Sequence, residues 1–228
     1  MVGEHPATGA FLERLGVADR SALLEAGHAR HYRAGEPLFV AGDRGAFVVL
    51  ITEGRVKVIV PSPTGTETVL SLRGPGDLVG ELAAIDDSTP RTATVVAVEP
   101  VICRVVRAAD FRAILADHPQ VTIEMLHMVA ARLRTSDRRL VEFGAYDTTR
   151  RVAHLLADMA ETDGRPSGDG VGVVLDSRLS QDDLAGLVGA SRESVARALA
   201  SLRTLGLVTT GRRQVVVLDI AALRGLAG

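Results

Sequence analysis

Apolar positions along the chain change rhythm twice, and the changes divide it into three regions. Through the first half they come in short runs separated by glycine, at Gly35, Gly42, Gly45, Gly54, Gly65, Gly74, Gly76 and Gly80. Runs of that length between glycines predict short antiparallel strands closed into a barrel or jelly roll. A short amphipathic helix around Ala18 to Ala29 precedes them. Phe47 to Ile51 and Val56 to Val60 flank Glu53-Gly54 and read as a hairpin, with Thr68 to Leu72 pairing onward and Val101 to Val106 as a later strand. Gly80-Glu81-Leu82-Ala83-Ala84 interrupts the strands with one helical turn, and Thr92 to Val98 resumes them.

The rhythm then becomes helical. From Pro119 to about Phe143, the residues Leu126, Val129, Leu133, Ser136, Leu140 and Phe143 alternate spacings of three and four, which is the seam of a coiled coil. Pro119 suits a first helical turn, where its missing N–H costs nothing. Such a seam implies a parallel homodimer, and packing against the strand region produces the same periodicity. Ser136 is its polar interruption. It either sets the register or, with Asp137, offers acceptors to an exocyclic amine such as that of adenine.

In the last region two short helices follow one another across a tight turn. Ser180 and Asp183 make a capping box ahead of Leu184, Leu187 and Val188; Gly189-Ala190 turns the chain; and Ser191 caps a helix whose buried stripe is Val195, Leu199 and Leu202. Arg192, Glu193 and Arg197 fall off that stripe near the N-terminus, where a helix lying in a DNA major groove meets base edges. Arginine can donate to O6 and N7 of guanine, and glutamate can accept from N4 of cytosine. Glu193 and Arg197 also stand at the i,i+4 spacing of a surface ion pair. Beyond, Gly206 to Thr210 and Val215 to Leu218 enclose Gly211-Arg212-Arg213, a hairpin whose basic tip either lies on phosphates as a wing or is simply solvated.

Composition adds bounds. The chain has 228 residues and a formal net charge of -2, so affinity for nucleic acid must come from a local patch. From Ser177 onward seven arginines face four acidic residues. No apolar run approaches the roughly 20 residues that span a bilayer, and the start Met1 to Pro6 lacks the pattern of a signal peptide. A cytoplasmic location without membrane attachment is expected. The lone Cys103 has no partner for a disulfide and reads as a small buried apolar residue. His28, His31, His118, His127 and His154 are scattered over what read as helix or loop positions and suggest no metal cluster and no catalytic pair.

The interruption at Gly80 carries further chemistry. A helix start presents free backbone N–H groups to an anion, and Arg91-Thr92 adds a cation and a hydroxyl. A phosphate fits between them, with Glu81 available to a ribose hydroxyl. The same residues also fit a plain turn, a solvent pair of Arg91 with Asp86 or Asp87, and an ordinary strand threonine.

The order Arg33-x-Gly35-x-x-Leu38-Phe39-x-x-Gly42-Asp43, Gly54-x-Val56-Lys57-Val58, Gly80-Glu81-Leu82, Pro90-Arg91-Thr92-Ala93 and Val188-Gly189-Ala190-Ser191-Arg192-Glu193-Ser194-Val195 closely resembles the Crp/Fnr family of bacterial regulators, in particular its actinobacterial cyclic AMP receptor branch. The resemblance covers nearly the whole chain. It implies an α+β protein with an N-terminal cyclic-nucleotide-binding jelly roll (1–118), a dimerisation helix (119–144) and a C-terminal winged helix-turn-helix (145–228). By position, Gly80, Leu82, Arg91 and Thr92 would hold the cyclic phosphate of cyclic AMP, Glu81 the ribose 2'-hydroxyl, Ser136 and Asp137 the adenine amine, and Val79 would wall the base. Asp137 departs from the neutral hydroxyl or amide usual at that place. The DNA-contacting set would be Ser180, Gln181, Ser191, Arg192, Glu193, Ser194 and Arg197, with Arg212 and Arg213 on the wing, reading palindromic double-stranded DNA with TGTGA-like half-sites. The implied partners are a second copy of the chain and RNA polymerase, with no catalytic cofactor. Two alternatives are a regulator that binds DNA without ligand or senses another effector, and an enzyme processing cyclic nucleotides through Glu81, Asp86 or Asp87.

Overall fold

The computed structural model describes residues 10–61, 67–86, 88–168, 170–175, 179–211 and 214–226, and the chain divides into two compact units, Met1–Thr135 and Ser136–Gly228. The first unit opens with a 3-10 turn (Phe11–Arg14) and α1 (Val17–Ala26). Strands β1 (His28–Tyr32), β2 (Pro37–Phe39), β3 (Phe47–Glu53), β4 (Val56–Pro61), β5 (Glu67–Arg73) and β6 (Leu78–Val79) come next. The single-turn helix α2 (Glu81–Ile85) is followed by β7 (Thr94–Ala97), β8 (Val101–Arg107), α3 (Ala108–Asp117) and α4 (Pro119–Ala145). The strands pair antiparallel into two sheets, ordered β1-β8-β3-β6 and β2-β7-β4-β5.

The uninterrupted apolar run of β3 follows from burial on both of its faces. With period two, Val49 and Ile51 point among Tyr32, Phe39, Val56, Val79, Val95 and Val105, while Val48 and Leu50 point the other way, among Phe11, Leu23, Phe111, Val121 and Met125. A strand buried in this way needs a neighbour on each edge. β3 takes β8 and β6. The hairpin expected across Glu53-Gly54 is therefore not formed: β4 pairs with β5 and β7 in the other sheet, and the turn is a corner between sheets. Gly54 makes the corner possible with φ +79°, where a Cβ would stand 2.2 Å from the Pro100 carbonyl oxygen.

Two further boundaries differ from expectation. The first helix stops at Ala26, and His28 to Tyr32 form a strand, so His28 and His31 are strand residues. Gly27 lets that strand approach β8, since a Cβ there would lie 2.9 Å from the Cβ of Arg104. Resumption of the sheet begins at Thr94, which leaves Arg91 and Thr92 in the loop before β7.

Helix α4 starts on Pro119, and its Val121, Met125 and Met128 are buried with the helices of the first unit while Val129 packs partly against them. Leu126, Leu133 and Leu140 lie outside that packing, each more than half exposed in the single chain. Packing against the first unit thus accounts for one face of the helix and leaves the leucine seam unexplained.

The second unit continues with α5 (Thr148–Asp163), β9 (Arg165–Pro166), β10 (Val173–Leu175), α6 (Gln181–Val188), α7 (Arg192–Thr204), β11 (Val208–Gly211), β12 (Gln214–Val217) and α8 (Ile220–Gly225). Val152, Leu156, Leu184, Leu187, Val195, Leu199, Leu202, Val217 and Leu223 are all buried. The two strands expected at the C-terminus pair as foreseen, and β10 and β9 extend them to a four-stranded sheet. Among the described residues no helix is long and apolar enough to cross a membrane.

Candidate ligand pocket and nucleic-acid interface

Gly80 precedes α2 in a left-handed conformation, φ +83°. It follows β6, whose Val79 is buried in the interior between the sheets. Within the short helix, Glu81 is buried and Leu82 is half exposed. Thr92 is exposed and makes no hydrogen bond among the described residues.

Arg91 is 3% exposed. Its Nη1 donates to the Gly80 carbonyl at 2.7 Å and its Nη2 to the Phe47 carbonyl, while Nε is buried without a partner. The guanidinium carbon lies 4.1 Å from the ring centre of Phe39 and 4.9 Å from that of Phe47. Among the described residues no carboxylate comes within 4.0 Å of it. Burial pulls the guanidinium below its ordinary pKa, and the charges of Glu81 and Asp43 oppose the shift. The solvent pairing with Asp86 weighed above is not formed, because Asp86 accepts from the Ser88 and Thr89 hydroxyls at 2.5 Å each; Asp87 lies outside the described residues. These bonds hold the exposed Asp86 carboxyl below its usual range.

Glu81 has a partner the sequence did not point to. Arg132 of α4 donates to Glu81 Oε1 at 2.7 Å and to the Leu78 carbonyl at 2.7 Å. The second carboxylate oxygen, Oε2, accepts nothing among the described residues. The available signal was the carboxylate's burial, since a buried charge needs a counter-charge, but which arginine supplies it depends on packing. For Phe39 and Phe47 the signal was scarcity: two of the five phenylalanines in the chain stand against one arginine.

Ser136 and Asp137 lie at the start of the second unit, and both are exposed on α4.

At the far end of the second unit, Ser180 Oγ accepts from the Asp183 N–H at 3.0 Å, and the Asp183 carboxylate accepts from the Ser180 N–H at 2.9 Å, closing the capping box. Gln181, first in α6, is exposed. Gly189 ends α6 with φ +58°, where a Cβ would stand 3.1 Å from the Phe143 ring. Ser191 caps α7 by accepting from the Ser194 N–H at 3.2 Å. Arg192, Glu193 and Arg197 are exposed on its first turns, opposite buried Val195 and Leu199.

The surface ion pair weighed for Glu193 and Arg197 is not formed: Arg197 donates to Ser194 Oγ at 2.9 Å, and none of the three makes an ion pair among the described residues. The Glu193 carboxyl is held below its usual range, first by the backbone N–H at the helix start and then by the Ser191 hydroxyl, with Arg192 and Arg197 adding to it. It is an acceptor held toward its ionised form beside Arg192 and Arg197. Arg203 ties α7 to β11 by donating to Thr210 Oγ1 at 3.1 Å. Arg212 and Arg213 lie outside the described residues.

Comparison with known proteins agrees with both halves. Residues 29–118 match the cyclic nucleotide-binding domain and residues 150–226 the Crp-like helix-turn-helix domain. The chain is 32% identical over 185 residues, 81% of either chain, to the CRP-like cAMP-activated global transcriptional regulator of Mycobacterium tuberculosis. It is 32% identical over 198 residues, 87% of either chain, to the cyclic AMP receptor protein of Thermus thermophilus. The solved structure of the c-di-GMP-responsive global regulator CLP of Xanthomonas campestris covers 90% of this chain and 100% of its own, with a TM-score of 0.78 and 23% identity, a likeness of fold alone. With a cyclic nucleotide-binding domain ahead of a Crp-like helix-turn-helix, this chain belongs to the Crp/Fnr family of DNA-binding transcription regulators.

Proposed function

We propose that the protein is a cytoplasmic homodimer whose affinity for operator DNA is controlled by cyclic AMP. The observation that carries the reading is Arg91, a cation buried to 3% exposure with no carboxylate in ion-pair contact among the described residues. Buried charges are ordinarily paired, so a site of this kind is completed by an anion. A cyclic phosphodiester brings a single negative charge, matched to one arginine once Glu81 and Arg132 neutralise each other. Gly80, Leu82 and Thr92 would hold the phosphate with Arg91, and Glu81 Oε2 would accept from the ribose 2'-hydroxyl. Val79 would line the base. Ser136 and Asp137 would receive the adenine amine near a two-fold axis formed by the exposed leucines of α4.

Ser180, Gln181, Ser191, Arg192, Glu193, Ser194 and Arg197 would meet DNA in the major groove, with Arg212 and Arg213 on flanking phosphates. Two-fold symmetry then asks for TGTGA-like half-sites about one helical turn apart. RNA polymerase is the expected partner at a promoter. The domain limits inferred from the sequence, 1–118, 119–144 and 145–228, go with this division of labour.

The test is calorimetric titration with cyclic AMP and cyclic GMP, sedimentation of the free and liganded protein, and footprinting with and without ligand. Two chains per particle, saturable cyclic AMP binding and a ligand-dependent footprint are expected. An operator footprint indifferent to cyclic AMP would favour a regulator that acts without it; release of AMP from cyclic AMP would favour the enzyme.

A further inference from the structure

Arg91 presents an unusual balance of partners. Its guanidinium has five N–H donors, of which two are committed to the carbonyls of Gly80 and Phe47, while Nε is buried and unpartnered. Two aromatic faces lie in contact with the cation, with ring centres 4.1 and 4.9 Å from the guanidinium carbon, while the charges of Glu81 and Asp43 act on it from beyond ion-pair distance. The rings stand edge to face, 6.2 Å apart at 73°, and so meet the cation from two directions. Gly80 packs against the same guanidinium and the Phe39 ring: a Cβ there would stand 2.3 Å from Arg91 Nη1 and 3.3 Å from Phe39 Cε1. Its φ of +83° favours glycine here, and any Cβ would displace the guanidinium from its present place.

We propose that Phe39 and Phe47 form an aromatic clamp that replaces a counter-carboxylate on Arg91, keeping the guanidinium charged, dehydrated and in place for the ligand phosphate, so that the two rings set ligand affinity. The proposal rests on the cyclic nucleotide reading above. A carboxylate in place of the rings would neutralise Arg91 and compete with the incoming phosphate, whereas a π face attracts the cation without competing for its N–H donors. With the clamp intact, water has already been removed from the cation during folding. Without it, Arg91 returns to solvent between binding events, and each ligand must dehydrate and reposition it. Phe39 and Phe47 are therefore positioning residues that act through Arg91.

The experiment replaces Phe47, and separately Phe39, with mono-, di- and trifluorinated phenylalanine, which keep the ring's shape while draining its π density. Cyclic AMP is titrated calorimetrically into each full-length protein. Affinity is expected to fall stepwise with fluorination, by about 2- to 30-fold over the series, with the circular dichroism and melting cooperativity of the unmodified protein retained. Phe47→Leu should weaken binding at least as much as the trifluorinated ring, and Phe47→Tyr, which keeps a π face, should restore most of it. A fluorination series that is flat, or that binds more tightly, while the wild type binds cyclic AMP would overturn the clamp and leave the sensor reading standing. A wild type that binds no cyclic nucleotide would overturn both.

Discussion

At the scale of single residues, the first unit sets two buried ionisable side chains to different tasks, and each makes a measurable prediction. Arg91 carries a charge that the fold stabilises only in part, so Arg91→Leu should remove cyclic AMP binding while leaving a cooperatively melting fold. Loss of one charge-assisted contact costs about 1.5–3 kcal/mol, or roughly 10- to 150-fold in affinity, as the minimum loss that titration should register. Cys103 is buried among the barrel residues, and that burial pushes its thiol up to about 11. Because the folded value is raised, the neutral thiol's contribution is fully present below the unfolded pKa near 9 and is lost as pH climbs toward about 11. Melting temperature should therefore decline over that alkaline window, and Cys103→Val should flatten part of the decline. Burial raises Tyr32 in the same direction, so some of the slope will survive the substitution. Arg91 also marks how far the proposed site could be read from the sequence. Arg91, Gly80 and Glu81 were legible because a cation, a turn glycine and an acid recur in a recognisable order. Arg132, Phe39 and Phe47 were not, because a contact across 51 residues, as from Arg132 to Glu81, leaves no local pattern.

At the scale of elements, helices carried more of their own evidence than strands did. The capping box at Ser180, the cap at Ser191 and the turn at Gly189 are local devices, and α6 begins and ends, and α7 begins, where those residues place them. Strand pairing is different, because a glycine turn between two apolar runs signals a change of direction and not which sheet receives the second run. The corner at Gly54 looks in sequence like a hairpin, and only the two-sided burial of β3, which calls for β6 and β8, sends β4 elsewhere. The end of α1 was misplaced for a related reason. Gly27 acts through a close approach to β8, a partner more than 70 residues away. Two predictions belong here. Gly189→Ala must hold a left-handed residue with its Cβ 3.1 Å from the Phe143 ring, and should destabilise the protein by about 1–2 kcal/mol in denaturant titrations. Arg197→Ala should cost about 1–3 kcal/mol on the preferred operator and relax preference at one base pair, because among the described residues its exposed side chain is held by a single hydrogen bond to Ser194. Equal losses on operator and random DNA would reassign Arg197 to the phosphate backbone.

At the scale of the whole molecule, the two units are joined through a single helix, since the division at Thr135 and Ser136 falls within α4. Upstream of the division, α4 supplies Arg132 to Glu81; downstream, Arg138 donates to Asp158 of α5 at 2.9 Å, and Asp158 also accepts from Arg224 of α8 at 2.6 Å. One helix therefore contributes Arg132 to the proposed pocket within the first unit and Arg138 to an ion pair within the second. A ligand that favours one arrangement of two such helices over another would favour one spacing of the recognition helices, which is how binding becomes control. Coupling of ordinary allosteric size, about 1–3 kcal/mol, would tighten operator binding roughly 5- to 150-fold, and by linkage the operator must tighten cyclic AMP by the same factor. Ser136 and Asp137 separate the two halves of this argument. Replacing both with alanine removes the acceptors proposed for adenine and leaves Gly80, Arg91 and Thr92 to hold the phosphate, so the coupling factor should shrink more than the affinity for cyclic AMP does. Operator affinity measured with and without saturating ligand, in wild type and double variant, gives both quantities. Full coupling in the double variant would move the link between pocket and DNA from the adenine end to the Glu81–Arg132 pair, where Arg132→Leu should then abolish it.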